Sequence, residues 1–322
     1  MINNKLIGIC GNSASGKSSL SNLLSLFIKE EFLNFECDRY HKWDRYSSNW
    51  SSDITHLNPE SNNLDLLNTD ILQLKENKSI LRHDYDHKTG LFTEETMIEP
   101  RPIIVICGLH TLYKNLDKVY NLSIYLEPHE KLRTLWKIKR DLLERNYTIN
   151  KIIKSIIARG HDSKFINIQE KYADITIKFI TDDHIELDLI NNDLIYENAY
   201  NKIESGLKNI NELLNYYPNI NLELILNKNK INVTNIIEMC KILNIKFDTD
   251  INTNTNTDTD TNTDTDTFIK LNITSCSYNK EILIKYIFEN FTNKINIDEL
   301  ADNYNGLLQV IIVRIMVDNG LL

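Results

Sequence analysis

The chain's 322 residues are enough for one large domain or two modest ones, and 42% hydrophobic with 25% charged residues excludes a globally disordered polymer. Thirty-six Lys and Arg against 45 Asp and Glu leave a net charge of −9, which argues against general binding of nucleic acid or anionic membrane. No apolar run approaches the roughly 18–20 residues that span a bilayer. The N-terminal stretch lacks a signal peptide's apolar segment, and five scattered cysteines form no framework of disulfides or metal ligands. The expectation is a cytoplasmic protein with reduced thiols.

Lys5 to Cys10 reads as a short apolar strand leading into a glycine-containing turn. Leu20, Leu23, Leu24, Phe27 and Ile28 then recur at helical spacing. Ile103 to Cys107 and Leu122 to Leu126 are runs apolar on both faces, as inner strands of a covered parallel sheet require. Lys131 to Arg145 reads as a basic helix, Lys151 to Ala158 as a second, and Ala173 to Ile180 as another strand. This alternation predicts an α/β fold: a mostly parallel central sheet with helices on both faces. Further on, Asp183 to Ile190 alternates like a strand, while Asn201 to Leu214 and Val233 to Leu243 look helical. Residues 248–267 are almost pure Asp, Asn and Thr and cannot bury surface, so a disordered insertion is expected there.

The chemistry concentrates early. Gly11-Asn12-Ser13-Ala14-Ser15-Gly16-Lys17-Ser18, followed by Ser19, fits G-x-x-x-x-G-K-[ST] between a strand and an amphipathic helix. The glycines let successive backbone N–H groups face phosphate oxygens, Lys17 supplies a charge for the outer phosphates, and the Ser18 hydroxyl can ligate Mg²⁺. This predicts a site for a nucleoside triphosphate. Asp38 follows a second strand-like stretch, at the sheet edge where ligands bind in open α/β folds. A carboxylate there can orient an acceptor hydroxyl and take its proton, with His41 and Arg45 placed to hold an anionic acceptor.

The P-loop together with the pattern Asp38, His41, Arg45 resembles the phosphoribulokinase branch of the phosphoribulokinase/uridine kinase family. Further matches follow in order. They are His56 to Leu67 before an acceptor-side helix, Tyr85-Asp86-His87-Lys88-Thr89-Gly90-Leu91 as a hairpin, and Gly108-Leu109-His110 at a strand end. Trp136 to Arg145 matches a lid helix and Asn303 to Val310 a closing helix. The resemblance implies a P-loop kinase fold, with residues 1–180 as the core and 181–322 as a C-terminal portion packed on it.

It also implies ATP- and Mg²⁺-dependent phosphorylation of ribulose 5-phosphate at its 1-hydroxyl. Lys17, Asp38, Arg140 and Arg145 would be catalytic, with Asp38 the general base. His41, Arg45, Tyr85, His87 and Lys137 would bind the sugar phosphate, and Ser18 and Asp141 would face the metal. The partner is then a small-molecule sugar phosphate or nucleoside, and a homodimer is kept open.

Two departures from the family pattern bear on this. The family's Glu-Gly-Leu-His reads Cys107-Gly108-Leu109-His110 here, and that glutamate is the expected acidic partner of Mg²⁺. The positions of the redox cysteines of light-regulated relatives hold Ser15 and Glu36. Two alternatives follow: a uridine/cytidine kinase-like enzyme, and an ATP-binding member impaired by the loss at Cys107.

Overall fold

A computed structural model describes residues 4–50, 54–159, 163–181, 214–250, 268–274, 278–291 and 294–322. Strands β1 (Lys5–Gly11) and β2 (Phe32–Glu36) flank helix α1 (Lys17–Phe27), and α2 (Leu64–Lys75) follows. Four short strands come next, β3 (Ile80–Arg82), β4 (Tyr85–Asp86), β5 (Leu91–Phe92) and β6 (Thr96–Ile98). Then come β7 (Ile103–Gly108), β8 (Leu122–Pro128), α3 (Glu130–Leu143), α4 (Ile149–Arg159), α5 (Lys164–Asn167) and β9 (Ile175–Ile180). The C-terminal part supplies β10 (Asn221–Asn227), α6 (Val233–Ile242), β11 (Phe247–Asp250), β12 (Phe268–Ile273), α7 (Lys280–Phe291) and α8 (Asn303–Asp318).

Among the described residues an eight-stranded sheet runs β11-β12-β10-β9-β8-β1-β7-β2. β2, β7, β1, β8 and β9 are parallel, as the apolar runs predicted, and β10, β12 and β11 extend that sheet antiparallel. Side chains alternate between two cores. Ile7, Ile9, Val105 and Ile124 pack with Leu20, Leu24 and Phe27 of α1, Leu132 and Leu135 of α3, and the C-terminal helices. Leu6, Phe35, Ile104 and Ile106 face the other way, onto Leu67, Ile71 and Leu74 of α2. Helices therefore cover both faces. No described helix is long and apolar enough to cross a membrane.

The expected helices and strands of the first half all form, with ends shifted by a residue or two. The strand expected over Asp183 to Ile190 lies outside the described residues, as does the helix over Asn201 to Leu214 except for its last residue. One boundary needs correction. The tract expected to be unstructured from Asp248 begins as edge strand β11, with Asp248, Thr249 and Asp250 in register with Asn272, Leu271 and Lys270. Phe247 packs on the core and anchors it, and Lys270, in register with Asp250, makes its ion pair with Glu223 of β10 at 2.6 Å. Composition missed this because a two-strand ladder draws on backbone groups, which every residue carries. Residues 251–267 lie outside the described residues.

The C-terminal part is fastened to the P-loop helix through a buried amide. Gln309 of α8 is fully buried; it donates to the carbonyls of Leu23 and Glu299, both at 3.0 Å, and accepts from the Ala301 N–H at 2.7 Å. Replacing it leaves buried backbone groups unpaired, each of which costs about 1–3 kcal/mol. Gln309→Ala is therefore expected to lower unfolding free energy by at least about 1–3 kcal/mol. Equilibrium urea unfolding checks this, and an unchanged midpoint would mean that the helix docks without the amide.

Candidate active site

The P-loop backbone needs conformations that most residues avoid. Gly16 has φ 92° and Ala14 φ 64°, both left-handed. A non-glycine residue held there is backbone strain of the kind found at ligand-binding turns. Gly16 opens α1, so the loop's N–H groups and the helix N-terminus face one region. Trp136 of α3 lies just above Gly16, and the cleft between the loop and helices α3 and α4 is lined by Asn12, Ser13, Thr134, Lys137 and Ser155. Lys17 Nζ donates to the carbonyls of Gly11 and Asn12, each at 2.8 Å. Burial holds its pKa below the usual lysine value, against the opposing pull of Asp38 and Glu36.

Asp38 sits in the single helical turn Cys37–Tyr40 that directly follows β2. That turn is pinned from below: Tyr40 donates to the buried Asp70 of α2 at 2.6 Å, and Arg82 grips the same carboxylate from β3. Around Asp38 the structure gathers residues from distant stretches. His87 Nε2 lies 3.0 Å from Asp38 Oδ2, and His41 Nε2 lies 3.7 Å from Oδ1. Tyr85 packs its ring edge-on against both histidines. Burial alone would raise the Asp38 pKa. The His87 hydrogen bond and the charges of His41, His87 and His56 outweigh it and hold the carboxyl well below its ordinary range.

The hairpin β4–β5 carries Tyr85 and His87, and Arg45 fastens it by donating to the His87 carbonyl at 2.6 Å and the Lys88 carbonyl at 3.3 Å. The Arg45 guanidinium also lies over the Tyr147 ring, beyond the end of α3. Asn62 lies in the matched stretch His56 to Leu67 but was given no site role there, yet it positions His41. Its Oδ1 lies 2.8 Å from His41 Nδ1, and the two backbones form a β-bridge. A polar residue just before a helix carries no signal that it meets a histidine 21 positions earlier.

Asp141 does not take the place expected for it. It is 1% exposed, with Lys137 Nζ at 2.6 Å, Arg140 Nη2 at 2.8 Å and Arg145 Nη1 at 3.5 Å from its carboxylate. Both oxygens are engaged by cations, so a divalent ion does not fit there. Asp141 instead gathers the three basic lid residues into one cluster, with Lys137 buried rather than on a solvated face.

The second carboxylate of the site is Glu36, the last residue of β2, whose electrostatic neighbours are Asp38, Ser18 and Lys17. Burial, followed by the charge of Asp38, raises its pKa. Cys107, at the place of the family's glutamate, is buried, and its thiol donates to the Lys17 carbonyl at 3.9 Å. Burial and then the charge of Glu36 push its pKa up, so it stays a neutral thiol. The donor chemistry next to the P-loop is therefore hard oxygen from Ser18, Glu36 and Asp38, which suits Mg²⁺. No group of three or more candidate ligands forms a closed cage among the described residues, and Mg²⁺ carried on phosphates needs none.

The Asp141 cluster generates a test of stability. Burial raises its pKa, but Arg140 and Lys137 outweigh that and lower it below 3.8. The contribution is thus fully present above the unfolded value and is lost as pH falls through the lower folded value. Asp141→Asn is expected to cost about 3–5 kcal/mol at pH 7, the range for breaking a buried ion pair, with the gap to wild type closing only below about pH 4. A pH series of denaturant unfolding measures it. A gap independent of pH would mean the cluster is not electrostatic.

The model of the phosphoribulokinase/uridine kinase family matches residues 6–186. A phosphoribulokinase of Synechocystis sp. is 38% identical over 178 residues, covering 54% of this chain and 53% of that protein. A uridine kinase of Bacillus pumilus is 29% identical over 191 residues, covering 58% of this chain and 91% of that protein. The chain thus spans about half the length of the phosphoribulokinases it matches. Among solved structures, phosphoribulokinase from Rhodobacter spheroides superposes with a TM-score of 0.57 at 15% identity, covering 99% of this chain and 100% of the other, a likeness of fold. With more than half of its length matched by the family model, the chain belongs to the phosphoribulokinase/uridine kinase family.

Proposed function

We propose that this chain is an ATP- and Mg²⁺-dependent kinase that phosphorylates ribulose 5-phosphate at its 1-hydroxyl, giving ribulose 1,5-bisphosphate. The observation that carries this reading is the clustering of Asp38, His41, His87, Tyr85 and Arg45, with Asp38 near Lys17 of the P-loop. The histidines around Asp38 favour its carboxylate form, which can accept the proton of the acceptor hydroxyl as its oxygen attacks the terminal phosphorus of ATP. His41 and His87 hold that carboxylate in place and, with Arg45 and Tyr85, offer donors to a sugar phosphate. The P-loop amides and Lys17 bind the phosphates, and Lys137, Arg140 and Arg145 bring positive charge from the lid toward the charge that develops in transfer. Mg²⁺, held on the protein side by Ser18, would neutralise phosphate charge during transfer.

A uridine or cytidine acceptor is the second reading. It is favoured by Ser13-Ala14-Ser15-Gly16-Lys17 in the P-loop and by the near-complete coverage of the bacterial uridine kinase. The histidine-rich setting of Asp38 and the nearby Arg45 favour an anionic acceptor over a neutral nucleoside. An impaired ATP-binding member is the third, and rests on Cys107 alone.

Purified protein given Mg-ATP and ribulose 5-phosphate, uridine, cytidine or no acceptor is expected to release ADP with ribulose 5-phosphate alone. ADP release with a nucleoside instead, or with none of the acceptors, selects the second or third reading. Asp38→Asn is expected to lower kcat by about 10²–10⁴-fold while keeping Mg-ATP affinity. Lys17→Ala is expected to weaken Mg-ATP binding by about 10- to 100-fold, the loss of one charged contact. An Asp38→Asn protein with near wild-type kcat would remove Asp38 from the role of base.

A further inference from the structure

A divalent ion riding on nucleotide phosphates at a P-loop is held by the loop's hydroxyl and by carboxylate on the neighbouring strand ends. Here the strand end beside β1 offers Cys107, and a neutral thiol is a poor partner for a hard cation. The carboxylate lies one strand further out. β2 and β7 are parallel neighbours, and their register sets Glu36 directly beside Cys107. Phe35 turns into the core on the α2 side, so Glu36, the next residue, turns to the α1 side. That is the side on which Cys107 packs and on which α1 carries Ser18. The Ser18 side chain is a neighbour of the Glu36 carboxylate.

We infer that Glu36 is the carboxylate of the Mg²⁺ site in this chain, taking from the neighbouring strand the role that a strand-end acid at position 107 would otherwise fill. This rests on the kinase reading above and extends it: the loss at Cys107 is compensated rather than disabling. Glu36 and Ser18 hold the ion from the protein side, and Asp38, two residues further along, is left to the acceptor. A Glu side chain is long enough for this, because neighbouring strands stand only about 4.8 Å apart.

The test reads metal binding rather than turnover. Protein saturated with the non-hydrolysable analogue AMP-PNP is titrated with Mn²⁺, and free Mn²⁺ is followed by electron paramagnetic resonance. Glu36→Gln is expected to weaken Mn²⁺ binding by about 10- to 100-fold, the usual cost of losing a carboxylate that supports a metal site. Its metal-free affinity for AMP-PNP is expected to match wild type. The exchange Glu36→Ser with Cys107→Glu is expected to recover most of the lost Mn²⁺ affinity, whereas Cys107→Glu alone sets two carboxylates side by side and gains little. Wild-type Mn²⁺ affinity in Glu36→Gln overturns the assignment. So does an equal loss of metal-free AMP-PNP binding, which would mark Glu36 as a support for the loop. Wild-type protein that binds AMP-PNP neither with nor without Mn²⁺ overturns the kinase reading beneath it.

Discussion

No side chain fits at position 108, and the site depends on that. A Cβ on Gly108 would lie 2.4 Å from the Cβ of Cys37, so the end of β7 and the turn leaving β2 close on each other only because one of them is glycine. The contact puts Asp38 and Glu36 beside the strand end that follows Cys107, with the P-loop on the next strand. Parallel strands make this economical: their C-terminal ends lie on one edge, so three connections deliver the P-loop, the turn carrying Asp38 and the segment after Cys107 to the same place. The Tyr40–Asp70–Arg82 link then holds the turn from the opposite side of the sheet, through a helix that contributes packing and no chemistry.

The second constraint is charge. This acidic chain gathers its cations locally rather than relying on net charge. Asp141 draws Lys137, Arg140 and Arg145 together, for without a buried anion these side chains would repel and point to solvent. On the acceptor side the balance is inverted. One carboxylate, Asp38, stands among histidines, which keep it ionised although it is recessed from water. Asp141 is engaged by cations on both oxygens, whereas Asp38, with Glu36 nearby, meets histidines at 3.0 Å and 3.7 Å.

Much of this was legible in sequence. The P-loop announces itself because strand, glycine turn and amphipathic helix are contiguous, and the parallel strands announce themselves as apolar runs. The hairpin Tyr85–Leu91 and the lid helix could be found because each is a local string. Asp141 was misread although its surroundings were in view: Lys137 and Arg145 stand four residues before and after it, the spacing of ion pairs on a helix. Glu36 and Asn62 were not legible as functional residues, since what matters in each is a contact across strands or loops. Register between β2 and β7 is set by the whole sheet, and no local pattern at Phe35-Glu36-Cys37 reports it.

If Glu36 serves the metal, that same register lets the acid stand on either strand without altering the fold. Residues paired across parallel neighbours point to the same face, so an acid at either member of the pair approaches the same region above α1. The exchange changes the direction of approach but not the charge delivered. A thiol at the inner position is neutral and small, fills the space against Ser21 and the Lys17 carbonyl, and imposes no second negative charge on the acid beside it. Cysteine at position 107 and glutamate at position 36 are then two halves of one arrangement. With an acid at both positions, two carboxylates would repel across a gap of about one strand spacing; with an acid at neither, the Ser18 hydroxyl would face the metal alone.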